Sequence, residues 1–327
     1  MTERENFWQT LVEHKKTDYV PLYGANVVAG CGGALEEYEN GPAGGGFDAF
    51  GVKWEGTASA GEAHVPLADP IVLTDITAWE DQVKFPDVDR IPWKEMARAQ
   101  LANVDRSKVF VNYSAYNAQF LRVTHLMGFV EGLCAFSEEP EACEALLDAI
   151  TDYRIKCLER IAEYFKPDFY TAYDDVATQF SLFISPNVYR TLIKPQHKRV
   201  NDAARALGIL PIIHTCGKCE ELIGDYIDEG AVAWTSAQPM NDIAGIIEKY
   251  GDTITVIGGY DSNGKPGTAQ ASDEEVEAEV FRCLNSYGGR GSYVFAGMRM
   301  MGEGASRAES LRPILAAYDK YRTSLQN

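Results

Sequence analysis

The chain has 327 residues, a formal net charge of −18 at pH 7 and 46% hydrophobic residues. This length suits one large α/β domain as well as two small ones. The negative charge argues against nucleic acid or an anionic membrane as a partner, because phosphate groups need a basic surface. The sequence contains no apolar run long enough to span a bilayer. Its seven cysteines follow no signal-like segment, which predicts reduced thiols in a cytoplasmic protein.

Residues 1–104 predict helices and Gly-rich loops that pack on the main body of the protein. A helix is predicted near residues 3–15 and a short strand over Tyr19–Tyr23. Residues 24–61 are rich in Gly but lack the motifs of phosphate-binding loops. An irregular loop over the mouth of a barrel is therefore favoured over a nucleotide site.

Strand-like and helical segments alternate in residues 105–327. The predicted strands are Val109–Tyr113, Phe169–Asp175, Leu210–His214, Ala231–Trp234, Ile254–Gly258 and Ser292–Phe295. The alternation predicts a closed parallel barrel or a doubly wound sheet, in one structural domain overall. We favour a (β/α)8 TIM barrel, because it gathers the polar residues that follow many strands onto one rim. Those residues are Asn112, Asp174, His214, Ser236, Asp261 and Arg299.

A possible metal site follows the strand that ends at His214. A residue and its second neighbour on an extended segment point to the same side, so His214 and Cys216 can bind one metal ion. Cys219 can add a third ligand if the turn curls back, which predicts zinc bound with an open position, as in catalytic sites. The alternative interpretation is a hydrogen-bonded core histidine with two small buried thiols.

A pair of carboxylates follows the apolar strand that ends near Tyr173. Asp174 is predicted to face the pocket as a proton donor or a metal ligand, because two carboxylates so close raise the pKa of one of them. Asp175 either shares that role or caps the following turn. Together with His214, Asp174 is the predicted catalytic residue.

The residues predicted to bind substrate come from several strand ends. Arg299 can hold a carboxylate or a phosphate through two parallel hydrogen bonds. Aromatic residues near the rim are candidates for specificity. The predicted set is Asn112, Tyr173, Trp234, Asp261 and Arg299.

Three stretches together resemble the uroporphyrinogen decarboxylase superfamily. They are Asp174–Gln179 with Ile184–Arg190 and Lys194-Pro195, then His214–Gly217, then Ile257–Asp261. Their order and spacing fit from about residue 105 to the end. The resemblance implies a (β/α)8 barrel.

Two features place the chain within that superfamily. Uroporphyrinogen decarboxylases hold a polycarboxylate with an Arg-rich amino-terminal segment, whereas this chain has only Arg4 and Arg90 before residue 91. The His214-x-Cys216-Gly217 stretch is similar to the start of the zinc site in corrinoid-dependent methyltransferases. In the thiol-methylating members a further Cys follows the last strand, at about the place of Met298. Here Cys219 or a carboxylate such as Asp174 would take its part.

The resemblance implies a methyltransferase that moves a methyl group from a small donor, of the methoxylated-aromatic or methylamine type, to a corrinoid. The sequence has no recognisable corrinoid-binding segment, so the corrinoid is expected on a separate protein that docks over the barrel mouth. One alternative is a metal-independent decarboxylase or lyase that acts on a smaller substrate and uses Asp174. Another is a non-catalytic binding protein that keeps only the barrel.

Overall fold

The computed structural model describes residues 1–24, 27–31, 35, 38–42, 44–56, 64–302 and 306–325. Parts of the predicted Gly-rich loop, among them residues 57–63, lie outside these ranges. None of the described helices combines the length and the apolar character needed to cross a membrane.

The main sheet consists of seven strands, all parallel, in the order β1-β5-β6-β7-β8-β9-β10. A second, antiparallel sheet has the order β2-β3-β4. The strands are β1 Val28–Cys31, β2 Gly46–Phe47, β3 Lys53–Gly56, β4 His64–Pro66, β5 Phe110–Ala115, β6 Phe169–Tyr173, β7 Leu210–His214, β8 Ala233–Ala237, β9 Thr255–Gly259 and β10 Tyr293–Ala296.

One short stretch near the amino terminus closes the main sheet into a ring. β1 pairs with β5 at one edge of the sheet. A few residues earlier, Leu22 pairs in parallel with Phe295 of β10 at the other edge. The Tyr23 amide donates to the Phe295 carbonyl at 2.8 Å, and the Phe295 amide donates to the Pro21 carbonyl at 2.9 Å. The predicted (β/α)8 barrel is confirmed.

Helices surround this ring. Their bounds are Glu3–Leu11, Trp79–Gln82, Trp93–Gln100, Gln119–Met127, Phe129–Glu138, Pro140–Tyr164, Pro186–Val188, Lys194–Ala206, Ile223–Asp228, Ile243–Tyr250, Asp273–Tyr287 and Arg307–Ser324. A π-helical turn over Tyr189–Ile193 joins two of them. Ser and Thr caps explain several helix starts: Thr2, Ser272 and Ser306 each form a capping box with the Glu three residues later.

Alternation along each strand divides the core into two parts. Alternate residues of the strands, such as Phe110, Phe169 and Ile212, pack inside the ring against the helix Glu3–Leu11. That helix covers the amino-terminal end of the barrel, where Phe7 contacts both Phe110 and Phe169. The other residues of each strand form the larger core between the sheet and the helices. The ring is therefore filled by side chains at one end, and the polar strand ends lie at the other.

The small antiparallel sheet is held to the barrel by a buried charge pair. The Arg122 guanidinium, 1% exposed, donates to Asp48 at 2.9 Å. The same carboxylate accepts from the amides of Phe50 and Val52 and from the Trp54 indole. Asp48 therefore ties strand β3 to the helix that carries Arg122.

Candidate functional site

The candidate site lies where β6 and β7 end. In the register of these strands Tyr173 stands beside His214, so the residues two positions further along, Asp175 and Cys216, again face each other. The ligand atoms of Asp175, His214 and Cys216 all lie within 4.8 Å of one another. Among the described residues these three form the group of His, Cys and acidic side chains that can hold a metal ion.

The donor set of this cluster fits zinc. It offers an imidazole nitrogen, a thiol sulphur and a carboxylate oxygen, the three ligand types that Zn²⁺ takes in proteins. The distance between Cys216 Sγ and His214 Nε2 is 3.4 Å. Two such ligands of a tetrahedral zinc ion stand about 3.5 Å apart, given bonds of about 2.0 and 2.3 Å. Three protein ligands also leave a fourth position open for a reacting molecule.

The state and orientation of His214 suit a ligand. Its ring stacks on Tyr173, with centroids 4.1 Å apart and planes 24° apart. Burial lowers the pKa of His214, and the Asp175 charge opposes this only in part. The imidazole is therefore neutral at pH 7 and has a lone pair to offer. Burial and the Asp175 charge raise the pKa of Cys216 to about 12, so a metal ion that binds there displaces the thiol proton.

The turn that follows β7 is fixed by hydrogen bonds from three sides. The Cys216 amide donates to Asp175 Oδ1 at 2.7 Å, and the Gly217 amide donates to Gln238 at 2.7 Å. Asn241 accepts from the amides of Cys219 and Glu220, at 2.9 and 3.0 Å. The main-chain amides of the turn are thus held by side chains from the segments that follow β6 and β8.

Cys219 lies apart from the cluster. Its side chain is 0% exposed, and Cys219 Sγ is 4.0 Å from the Thr215 carbonyl oxygen. Cys219 does not lie with His214 and Cys216 as predicted, because its thiol is packed in the outer core. Among the described residues, the third possible ligand atom beside those two belongs to Asp175.

The prediction that Asp174 faces the pocket is also wrong. The Asp174 carboxylate points to the outer side of the sheet, where it accepts from the amides of Phe120 and Leu121 at 3.0 and 2.9 Å. His197 Nε2 lies 2.8 Å from the same carboxylate. With both oxygens engaged at a helix start and 0% exposure, Asp174 is not free to meet a substrate.

The predicted substrate residues on the strands divide by face. Tyr173 lies at the site, against His214 and Tyr116. Asn112 is inside the barrel, one layer deeper, where it accepts from Thr171 at 2.8 Å. Trp234 points the other way: it is fully buried in the outer core and donates to the Thr215 carbonyl at 3.1 Å. The expectation that Trp234 lines the pocket is therefore wrong.

The predicted substrate residues on the later loops are engaged with main-chain groups. Asp261 accepts from the Gly264 amide at 2.8 Å and so caps a turn. Arg299 donates to the carbonyls of Thr268 and Ala271 at 3.2 and 3.1 Å. Its Nη2 atom therefore holds the loop before the helix Asp273–Tyr287. Its Nε atom is buried and has no hydrogen-bond partner among the described residues, so the role of Arg299 as a carboxylate anchor stays a prediction. Met298, 56% exposed, follows β10.

Sequence reasoning considered Asp175 only as a partner of Asp174 and did not place it with His214 and Cys216. The signal was present, because Tyr173 and Asp175 are two positions apart and share a face just as His214 and Cys216 do. Gln238 and Asn241, which fix the turn, gave no such signal, since they contact it from more than 20 positions along the chain.

The protein-family comparison matches residues 116–298, more than half of the chain, to the model described as Uroporphyrinogen decarboxylase (URO-D). The matched region contains β6, β7 and all three members of the cluster. A search of curated proteins finds no match.

Among solved structures, a methyltransferase from Methanosarcina mazei is similar over 98% of this chain and 99% of that chain, with a TM-score of 0.70 and 15% identity. A D-psicose 3-epimerase, crystallised in the presence of D-fructose, has a TM-score of 0.40 and 13% identity over 73% of this chain and 86% of its own. A sugar phosphate isomerase/epimerase from Parabacteroides distasonis has a TM-score of 0.34 and 9% identity, over 72% and 79%. The first of these shows that the whole chain follows one known barrel fold.

Proposed function

Since the chain belongs to the uroporphyrinogen decarboxylase family, we propose that it is a methyltransferase of that family. It takes a methyl group from a small methylated donor, of the methoxylated-aromatic or methylamine type, and passes it to a corrinoid carried by a separate protein. The single observation that carries the proposal is the Asp175, His214 and Cys216 cluster. The likeness in fold to a structure named as a methyltransferase supports it.

The three side chains of the cluster would hold zinc. When bound, the ion supplies a Lewis acid that polarises the heteroatom of the methyl donor. Tyr173 keeps the His214 ring in place by stacking, and Asp175 restrains the Cys216 main chain. These residues are therefore in position before any ligand arrives, which lowers the cost of binding.

The two arginines near the amino terminus, Arg4 and Arg90, lie away from the strand ends that carry the cluster. Their positions favour a small donor over a polycarboxylate such as a porphyrinogen as the substrate. Arg4 stacks on the Phe110 ring at the closed end of the barrel, 3.8 Å from its centroid. Arg90 is exposed and pairs with Asp87. A polycarboxylate at the strand ends would find neither of them there to balance its charge.

The first test measures metal content in the full-length protein. We expect about one zinc per chain, lost in Cys216→Ala and His214→Ala, reduced in Asp175→Ala and kept in Cys219→Ala. No metal in any preparation of the wild-type protein would contradict the zinc site and favour the alternative, a metal-independent decarboxylase or lyase.

The second test measures methyl transfer with free cob(I)alamin as the acceptor. The donors are a panel of methoxylated aromatics and methylamines, and the visible spectrum reports methylation of the cobalt. We expect turnover with one donor class and a loss of at least about tenfold in Cys216→Ala, because the thiolate would hold the Lewis acid. Turnover that is equal in wild type and Cys216→Ala would contradict the proposal.

A further inference from the structure

A second polar cluster lies on the outer side of β6, behind the candidate metal site. His197 stands at its centre and is 3% exposed. One ring nitrogen, Nε2, is 2.8 Å from Asp174. The other, Nδ1, is 3.3 Å from Glu229 and 3.2 Å from the Tyr189 hydroxyl. Tyr189 in turn donates to Glu229 at 2.6 Å.

The cluster contains two carboxylates that are 0% exposed, Asp174 and Glu229. Buried carboxylates need a counter-charge, since transfer from water costs several kcal/mol for each ion. His197 is the side chain that contacts both. Burial alone lowers the pKa of His197, but the Glu229 charge and the hydrogen bonds to both carboxylates outweigh it and raise the pKa to about 10. Burial raises the pKa of Glu229, and the His197 charge opposes this. His197 is therefore the cationic partner shared by the two buried carboxyl groups.

Asp174 connects this cluster to the metal site through the main chain. Its amide donates to the His214 carbonyl at 3.0 Å, and its carbonyl accepts from the Thr215 hydroxyl at 2.9 Å. With the Asp174 side chain fixed outward, the next residue must face inward. That residue is Asp175, which accepts from the Cys216 amide.

We propose that His197 is a positioning residue: by holding the Asp174 carboxylate on the outer face of β6, it sets Asp175 against His214 and Cys216 and so preorganises the metal cluster. This positioning role rests on the proposed function only in assuming that the cluster binds a metal ion. His197 itself touches neither metal nor substrate. Groups hydrogen-bonded to a metal ligand typically change metal affinity by about 10–100-fold when removed. His197 acts one residue further back, through Asp174, so an effect near the lower end of that range is expected.

The test compares two replacements of His197 in the full-length protein. His197→Leu keeps the bulk and removes every hydrogen bond, whereas His197→Gln keeps a donor that can reach Asp174. Cobalt(II), which gives visible bands with thiolate ligands, is titrated into each apoprotein. We expect affinity to fall about tenfold or more in His197→Leu and to recover in part in His197→Gln.

Gln196→Ala is the matched control for loss of stability. Gln196 is 4% exposed on the same helix, but its amide donates to Asp148 and touches no member of the cluster. A lowered melting temperature with unchanged cobalt affinity is expected. If Gln196→Ala weakens cobalt binding as much as His197→Leu does, the effect is general destabilisation and the proposal is overturned.

A metal-free measurement keeps the two proposals distinguishable. Amide hydrogen exchange over residues 210–222 reports the bond from the Cys216 amide to Asp175. Faster exchange in His197→Leu, with residues 273–287 unchanged, is expected even if the wild-type protein binds no metal. Unchanged exchange at 210–222 overturns the positioning role, whatever the metal content. Should His197→Leu fail to fold, His197→Gln against wild type gives the same comparison with a smaller expected difference.

Discussion

At the scale of single residues, the two thiols after β7 have separate tasks. Cys216 borders His214 and Asp175, whereas Cys219 is packed in the outer core. Burial raises the pKa of Cys219 well above its ordinary range, which keeps this thiol protonated and inert.

We therefore expect opposite effects from two matched substitutions. Cys219→Ala should lower the free energy of unfolding by about 1 kcal/mol, as is usual when a small buried group is removed, and leave metal content unchanged. Cys216→Ala should remove the metal and change the free energy of unfolding of the metal-free protein by less than Cys219→Ala does. Urea unfolding and metal analysis on both variants check this. Loss of metal in Cys219→Ala would show that Cys219 is a metal ligand after all.

The proton on His197 makes stability depend on pH. The folded protein holds this proton up to about pH 10, whereas the unfolded chain releases it near the ordinary pKa of 6.5. The stabilisation is complete below pH 6.5 and is lost as the pH rises through 10, with a slope of at most about 1.4 kcal/mol per pH unit. The groups in contact with His197 are Asp174, Glu229 and Tyr189, and Arg154 and Tyr170 line the same small cavity.

Urea unfolding at several values between pH 7 and pH 10 measures this effect. We expect the wild type to lose stability over that range more steeply than His197→Gln, which has no proton to lose there. Parallel profiles for the two proteins would show that His197 is neutral in the folded state.

The residues also show how far sequence reasoning reaches. The meeting of His214 and Cys216 follows from the period of an extended strand, and Asp175 was open to the same argument. The position of Cys219 could not be predicted in this way, because the course of its turn depends on Asn241, more than 20 positions later. The outward direction of Asp174 depends on partners far along the chain, Phe120, Leu121 and His197. Long-range partners of this kind leave no periodic pattern in the sequence.

At the scale of elements, the turn between β7 and the next helix depends on a glycine. Gly217 has φ +90°, and a Cβ there would lie 2.5 Å from the Thr178 carbonyl oxygen. Both features exclude a side chain, since the left-handed conformation alone costs about 1–2 kcal/mol for other residues.

Gly217→Ala should therefore lower the free energy of unfolding by about 2 kcal/mol or more and weaken metal binding, because the Cys216 main chain must shift. Gly289→Ala is the control, since a Cβ at Gly289 meets no atom within 4 Å. Thermal unfolding with and without zinc distinguishes the two. Equal behaviour of the variants would mean that the turn adapts without cost.

The element bounds were predicted well where a strand is apolar and short. The predicted Leu210–His214 is the observed β7, and the predicted Ser292–Phe295 differs from β10 by one residue at each end. The prediction for β8 began two residues early and stopped short of Ala237. Val232, just before the strand, is buried and already bonds to both neighbours: its amide donates to the Pro211 carbonyl at 2.8 Å, and its carbonyl accepts from the Thr255 amide at 3.0 Å.

At the scale of the whole molecule, buried charge pairs fasten the amino-terminal segment to the barrel. Arg122 and Asp48 are 1% and 0% exposed. In contrast, Arg160 and Asp89 form a pair on the surface, with 41% and 75% exposure. A buried charge that loses its partner costs far more than an exposed one.

Arg122→Met should accordingly lower the free energy of unfolding by about 3–5 kcal/mol, whereas Arg160→Met should change it by less than about 1 kcal/mol. Denaturant unfolding of both variants, at low and high salt, gives the comparison. If the two variants lose the same stability, the pair with Asp48 does not fasten the segment.

The closure of the ring between Leu22 and Phe295 has a consequence for synthesis of the protein. Leu22 emerges from the ribosome long before Phe295, because strands β1 to β9 are made in between. Until then both borders of the nascent sheet expose unpaired amides and carbonyls, which are templates for association with other chains. The unfinished polypeptide is therefore the state that most needs a chaperone, and completion of the cylinder removes that need in one late step.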